Sequence, residues 1–159
     1  MAIIRSVRTV RVTQTLPGAV YEIEQRWYDT SRWTIWVEGL RRVVHVSGAW
    51  PAVGSSVTWD SGPAGRGHVV ERVIAHEPLA GQTVAVDDSS ITGRQSVAFV
   101  PVDDGVEVQL SLAYDVKKRT MFTPVVDALF IKRAMATSLA TTLSRFGAEV
   151  GSHRSLAGP

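Results

Sequence analysis

The chain contains no cysteine. Disulfides, thiolate metal sites and cysteine nucleophiles are thereby excluded, and a reducing compartment fits without being required. There is also no surplus of charge: 17 Lys and Arg against 15 Asp and Glu leave a net +2. Basic residues gather at Arg41-Arg42, Lys117-Lys118-Arg119 and Lys132-Arg133. Apolar segments separate these groups, so they read as solvated surface and no nucleic-acid partner is expected. Long apolar runs are missing as well. Arg5, Arg8 and Arg11 interrupt the first residues, which argues against a signal peptide. Asp127, Lys132 and Arg133 interrupt Val125 to Leu143, which argues against a membrane span. The expectation is a soluble, cytoplasmic protein with no stable membrane insertion.

The familiar catalytic motifs are absent too. There is no G-x-S-x-G, no phosphate loop ending in G-K-[ST] and no H-E-x-x-H. "GPAGRG" (residues 62–67) carries three glycines, but it sits between strands with no helix after it, so it reads as a turn and not as a nucleotide loop. His68, Glu71 and His76 share one run, "HVVERVIAHE". Strand alternation puts both histidines on one side and Glu71 on the other, a poor metal site. No metal and no cofactor are expected.

What is present is periodicity. The 159 residues suit one domain, and a core of that size can bury roughly 70% of the unfolded chain's surface. "VRTVRVTQTL" (Val7 to Leu16) alternates as a half-buried strand. Pro17-Gly18 ends it, and Pro17 suits the first turn of a helix. That helix carries Val20, Ile23 and Trp27 on one face. Asp29-Thr30-Ser31 offers a cap for a short second helix with Trp33 and Trp36. From Leu40 to Val116 the texture is strand: "LRRVVHVSG", "SSVTWD", "HVVERVIAHE", "QTVAVDD", "GRQSVAFVP" and, after the hairpin signal "DDG", Val106 to Val116. The last of these has the cleanest period of two in the chain. Thr123-Pro124 then opens a long helix, Pro124 to Val150, whose apolar face runs through Phe122, Val125, Leu129, Ala136, Leu139, Leu143, Phe146 and Val150. A stripe of that length needs an equally long apolar partner. A curved antiparallel sheet is the available one, which makes the chain α+β with segregated helices. "GSHRSLAGP" (151–159) reads as a flexible tail.

Four features in order carry a resemblance over about Val7 to Val150. They are Trp33-x-x-Trp36 followed by Gly39 and a strand, "VGSSVTW" after a proline, "VIAHEP", and "FVPVDDGVEVQLSLAY" leading into the long helix. The chain resembles the START and birch-pollen-allergen (SRPBCC) superfamily, and within it the bacterial polyketide cyclase/dehydrase-like proteins. The resemblance implies a helix-grip fold over residues 7–150: a seven-stranded antiparallel sheet wrapped around the C-terminal helix, with two short helices after the first strand. It also implies an apolar cavity between helix and sheet, with the short helices near its mouth.

Within such a cavity, alternation nominates polar groups. Glu71 shares parity with Val69 and Val73, Gln95 with Val97 and Phe99, His45 with Val43, and Asp88 with Val84 and Val86. A carboxylate in an apolar pocket has a raised pKa and can act as acid or base, so Glu71 and His45 are the catalytic candidates. Trp33, Trp36, Trp59, Glu71, Gln95, Phe99, Tyr114, Phe122 and Leu129 are the candidate ligand contacts. The expected function is binding of a lipophilic small molecule, of lipid, quinone or aromatic polyketide type. A polyketide cyclase or dehydratase using cavity acid/base groups is one alternative, and a non-catalytic interaction module is another. No catalytic motif transfers by position, and a homodimer is left open.

Overall fold

The computed structural model describes residues 8–62, 65–117 and 124–156, with side chains in the last segment described from residue 129. Strand β1 (Arg8–Leu16) is followed by helix α1 (Val20–Tyr28), a 3-10 turn (Thr30–Arg32) and the one-turn helix α2 (Trp33–Trp36). Six strands come next: β2 (Leu40–Ser47), β3 (Ser56–Ser61), β4 (His68–Glu77), β5 (Gly81–Asp87), β6 (Ile91–Val102) and β7 (Gly105–Val116). Helix α3 (Pro124–Leu156) ends the described chain. The strands form one antiparallel sheet in the order β1-β7-β6-β5-β4-β3-β2. This is the α+β helix-grip architecture.

β7 shows how the pattern becomes a core. Val106, Val108, Leu110, Leu112 and Tyr114 are buried, and the residues between them are partly exposed. Burying each such side chain is worth about 1.5–3 kcal/mol, and a register slip of one residue would forfeit the whole set. Gly105 opens β7 where the chain passes close to the end of β1. A Cβ there would lie 2.0 Å from the Leu16 carbonyl oxygen, and the φ of +147° also favours glycine. α3 packs along β1, and its Leu139, Leu143, Phe146 and Val150 are all buried. Gly147 lets the two approach: a Cβ on it would meet Gln14 Nε2 at 2.4 Å.

Asp29 caps the turn before α2 as expected, its Oδ1 accepting from the Ser31 backbone N–H at 3.1 Å. Four sequence expectations change. Pro17 lies in the bend before α1, and the helix begins at Val20. α3 runs to Leu156, six residues past Val150, so most of the segment read as a tail is helical. Among the described residues, the apolar stripe of α3 is buried from Leu139 to Val150, whereas Leu129 is 55% exposed. The alternation of β4 does not survive its length: a register shift between Val73 and Ala75 turns His76 to the face that carries Val73, opposite Gln82. The expected Thr123 cap and Phe122 lie outside the described residues.

Candidate functional site

The two tryptophans of the short helix close one end of the space between sheet and α3. Trp36 packs on Trp27 and on Phe146, each at a centroid distance of 4.8 Å, and Trp27 meets Phe146 edge-on at 5.0 Å. Trp33 touches Trp36 and Trp50 at 6.1 and 5.6 Å. Edge-on and tilted pairs of this kind add to plain area burial. Trp33 Nε1 donates to the Trp27 carbonyl at 2.8 Å and Trp50 Nε1 to the Tyr28 carbonyl at 2.9 Å. Trp36 Nε1 is buried with no partner.

Beneath this aromatic cap lies a cavity of about 50 Å³, room for a few waters. Its apolar wall comes from β3 to β7, from α3 and from the cap. Its polar groups come from Glu71, Gln82, Gln95, Arg66 and, on the helix side, Glu38 with Ser138 and Thr142. Glu71 is 8% exposed. Its Oε2 accepts from Trp59 Nε1 at 2.6 Å. Burial pushes the carboxyl pKa up; the Trp59 hydrogen bond and the Arg66 charge pull it down, and burial prevails. Arg66 reaches in from the β3–β4 turn. Its Cζ stands 5.6 Å from the Trp59 ring centroid and its Nε donates to Asp88 Oδ2, while Nη2 is buried without a partner. At the helix side Ser138 Oγ donates to Glu38 Oε2 at 2.6 Å, and the Glu38 backbone N–H donates to Thr142 Oγ1 at 2.9 Å.

The structure therefore brings Trp33, Trp36, Trp59, Glu71 and Gln95 to one cavity. Phe99 is buried behind it, against Trp27 and Tyr28 at 6.4 and 6.2 Å. Tyr114 is buried away from the cavity walls; its hydroxyl has no partner, and burial raises its pKa. Leu129 lies on the exposed part of α3. His45 is a correction: it is exposed on β2 and opposes Thr58, whereas Val43 opposes the inward-facing Trp59. The register shift between Val43 and His45 breaks the shared parity that nominated it. Asp88 is buried but spoken for, accepting from the Ser90 and Ile91 backbone N–H groups and from Arg66. His68 pairs with Asp60 and His76 packs against Tyr28, so neither joins Glu71.

Sequence reasoning missed Arg66, Gln82, Trp27, Trp50 and the Glu38 group as parts of the site. Gln82 was findable, because it shares parity with Val84 and Val86 on β5. Arg66 carried no signal beyond being one arginine in a glycine-rich turn.

Chemically, the site sets one buried carboxyl with a raised pKa and two donors without partners, Trp36 Nε1 and Arg66 Nη2, beside largely apolar walls. That suits an apolar molecule bearing oxygen acceptors.

Several solved structures share this fold. The di-domain ARO/CYC StfQ from the steffimycin biosynthetic pathway is 15% identical with a TM-score of 0.74, covering 94% of this chain and 52% of that one. The chain thus spans about half of StfQ. A START superfamily protein from Mycobacterium smegmatis is 15% identical with a TM-score of 0.73, covering 91% and 97%. A norcoclaurine synthase point mutant from Thalictrum flavum, in complex with a transition-state analogue, is 13% identical with a TM-score of 0.71, covering 96% and 99%. At these identities the likeness is one of fold. No curated protein matches the sequence. The family model described as polyketide cyclase / dehydrase and lipid transport matches residues 7–151, nearly all of the helix-grip domain and every cavity-lining side chain named above, and the chain belongs to that family.

Proposed function

We propose that the chain binds an oxygenated lipophilic small molecule, of lipid, quinone or aromatic polyketide type, between the sheet and α3, with residues 7–150 as the binding unit. The observation that carries this reading is Glu71. A carboxyl taken out of water into a cavity with largely apolar walls costs stability unless it is well partnered, and its one hydrogen bond among the described residues is from Trp59 Nε1. Buried donors without partners cost about 1–3 kcal/mol each, and Trp36 Nε1 and Arg66 Nη2 are two of them. A ligand carbonyl or phenol satisfies such groups. The cavity of about 50 Å³ must widen to take one. The test is a thermal-shift screen of fatty acids, quinones, sterols and aromatic polyketides, joined to native mass spectrometry. A ligand at a hundredfold excess over Kd stabilises the fold by about 2.7 kcal/mol; a panel without shifts or bound mass refutes the reading.

A second reading is favoured by the raised pKa of Glu71: acid–base chemistry on the bound molecule, of the cyclase or dehydratase kind. Glu71 holds its proton at a pH where an exposed carboxyl has lost it, so it is placed to donate to a ligand oxygen. Glu71→Gln keeps the shape and removes the proton. Under this reading turnover falls by about 10²–10⁴-fold with ligand affinity little changed; unchanged turnover returns the chain to binding alone.

A further inference from the structure

Among its described side chains, α3 exposes two large apolar residues, Leu129 and Phe130, ahead of the buried run from Leu139 to Val150. Leu129, Ala136, Leu143 and Val150 lie seven residues apart, on one stripe. Leu143 and Val150 are each 2% exposed and Ala136 is half-buried, but Leu129 is 55% exposed. Its neighbour Phe130 is 73% exposed. Lys132 and Arg133 follow, both exposed. Phe130 and Arg133 also line a surface groove that shares Glu38 and Ser138 with the cavity wall. Apolar and cationic side chains thus stand together beside the helix-side rim of the cavity.

We propose that this face of α3 docks reversibly on an anionic lipid bilayer, with Leu129 and Phe130 entering the headgroup boundary and Lys132 and Arg133 meeting lipid phosphates. An adjacent exposed leucine and phenylalanine followed by two cations suits interfacial attachment, in which apolar burial and attraction to anionic headgroups add. Glu38 is the acidic group of the groove, and its carboxylate is engaged by Ser138 Oγ at 2.6 Å, set back from the cations. Among the described residues no helix is long and apolar enough to cross a membrane, so the attachment is peripheral. Docking in this orientation turns the Glu38–Ser138 rim toward the bilayer, giving a lipophilic ligand a path that avoids bulk water. The docking itself rests on surface residues and stands whether or not the cavity takes a ligand.

The experiment is vesicle flotation of the whole chain with phosphatidylcholine vesicles containing phosphatidylglycerol, and with phosphatidylcholine alone. Flotation is expected with the anionic vesicles only and falls in 1 M salt, where charges are screened within ~3 Å. Lys132→Glu with Arg133→Glu should weaken binding by roughly 30-fold or more, since each lost cation is worth about fivefold and the new carboxylates add repulsion. Leu129→Ala with Phe130→Ala should weaken it by at least tenfold. All four side chains are exposed, so melting temperatures should stay unchanged and confirm intact folding. No flotation on anionic vesicles, or flotation indifferent to both double variants, overturns the proposal. So does sedimentation velocity showing that Phe130 instead joins two copies of the chain, with no vesicle binding. The cavity reading is scored separately by the thermal-shift panel, so failure of one leaves the other standing.

Discussion

Two tryptophans three residues apart should respond unequally to the same substitution. Trp33→Phe and Trp36→Phe each remove an indole edge from a buried position of the aromatic cap, so their packing losses are similar and largely cancel in the comparison. Their hydrogen bonding differs. Trp33 Nε1 donates to the Trp27 carbonyl at 2.8 Å, so Trp33→Phe deletes a bond and strands a buried acceptor, at a cost of about 1–3 kcal/mol. Trp36 Nε1 has no partner, so Trp36→Phe removes a donor that was already desolvated, which offsets part of its packing loss. The Trp33 variant should therefore be less stable than the Trp36 variant by roughly 2 kcal/mol. Urea unfolding followed by fluorescence measures this, provided the slopes agree, so that midpoints report stability alone. Equal midpoints, or a less stable Trp36 variant, would refute the argument that Trp36 carries a donor the fold itself does not use. If the argument holds, Trp36→Phe should also weaken binding of an oxygenated ligand by about 2- to 12-fold, the worth of one hydrogen bond.

The titration of Glu71 gives a signed pH effect. Because its pKa is raised in the folded chain, its contribution is fully present below the unfolded value near 4.5 and is lost as pH rises through the folded value. Wild-type stability should fall relative to Glu71→Gln across that window, and parallel curves would show that the carboxyl is not desolvated. Gly147→Val should crowd β1, since a Cβ would meet Gln14 Nε2 at 2.4 Å and the buried Leu16 Cδ2 at 3.0 Å; a loss of about 1–3 kcal/mol is expected in thermal melts, and an unchanged melt would show that helix and strand have slack. Gly105→Ala should be worse still, because the new Cβ faces the Leu16 backbone carbonyl at 2.0 Å, with no flexible side chain to yield.

Most of the fold was legible in the sequence because its signals are local. The strict alternation of Val106 to Tyr114, the proline- and glycine-bounded strands and the spacing from Leu139 to Val150 each report burial through a period set by backbone geometry. Glu71 was legible for the same reason, since it stands two positions from Val69 and two from Val73. What lay beyond the sequence was non-local. Bulges in β2 and β4 insert a residue, invert the parity beyond it and leave no mark in composition; they carried His45 outward and turned His76 inward. Whether a stripe residue is covered depends on where the partner sheet ends, which is why Leu129 reads as core and is exposed. The cavity's polar set joins residues as distant in sequence as Glu38, Arg66 and Ser138. The sequence by itself determined which residues alternate and which elements form. Only the tertiary structure decided which of them share a space, because register shifts and helix seating are properties of pairs of elements and not of either one alone.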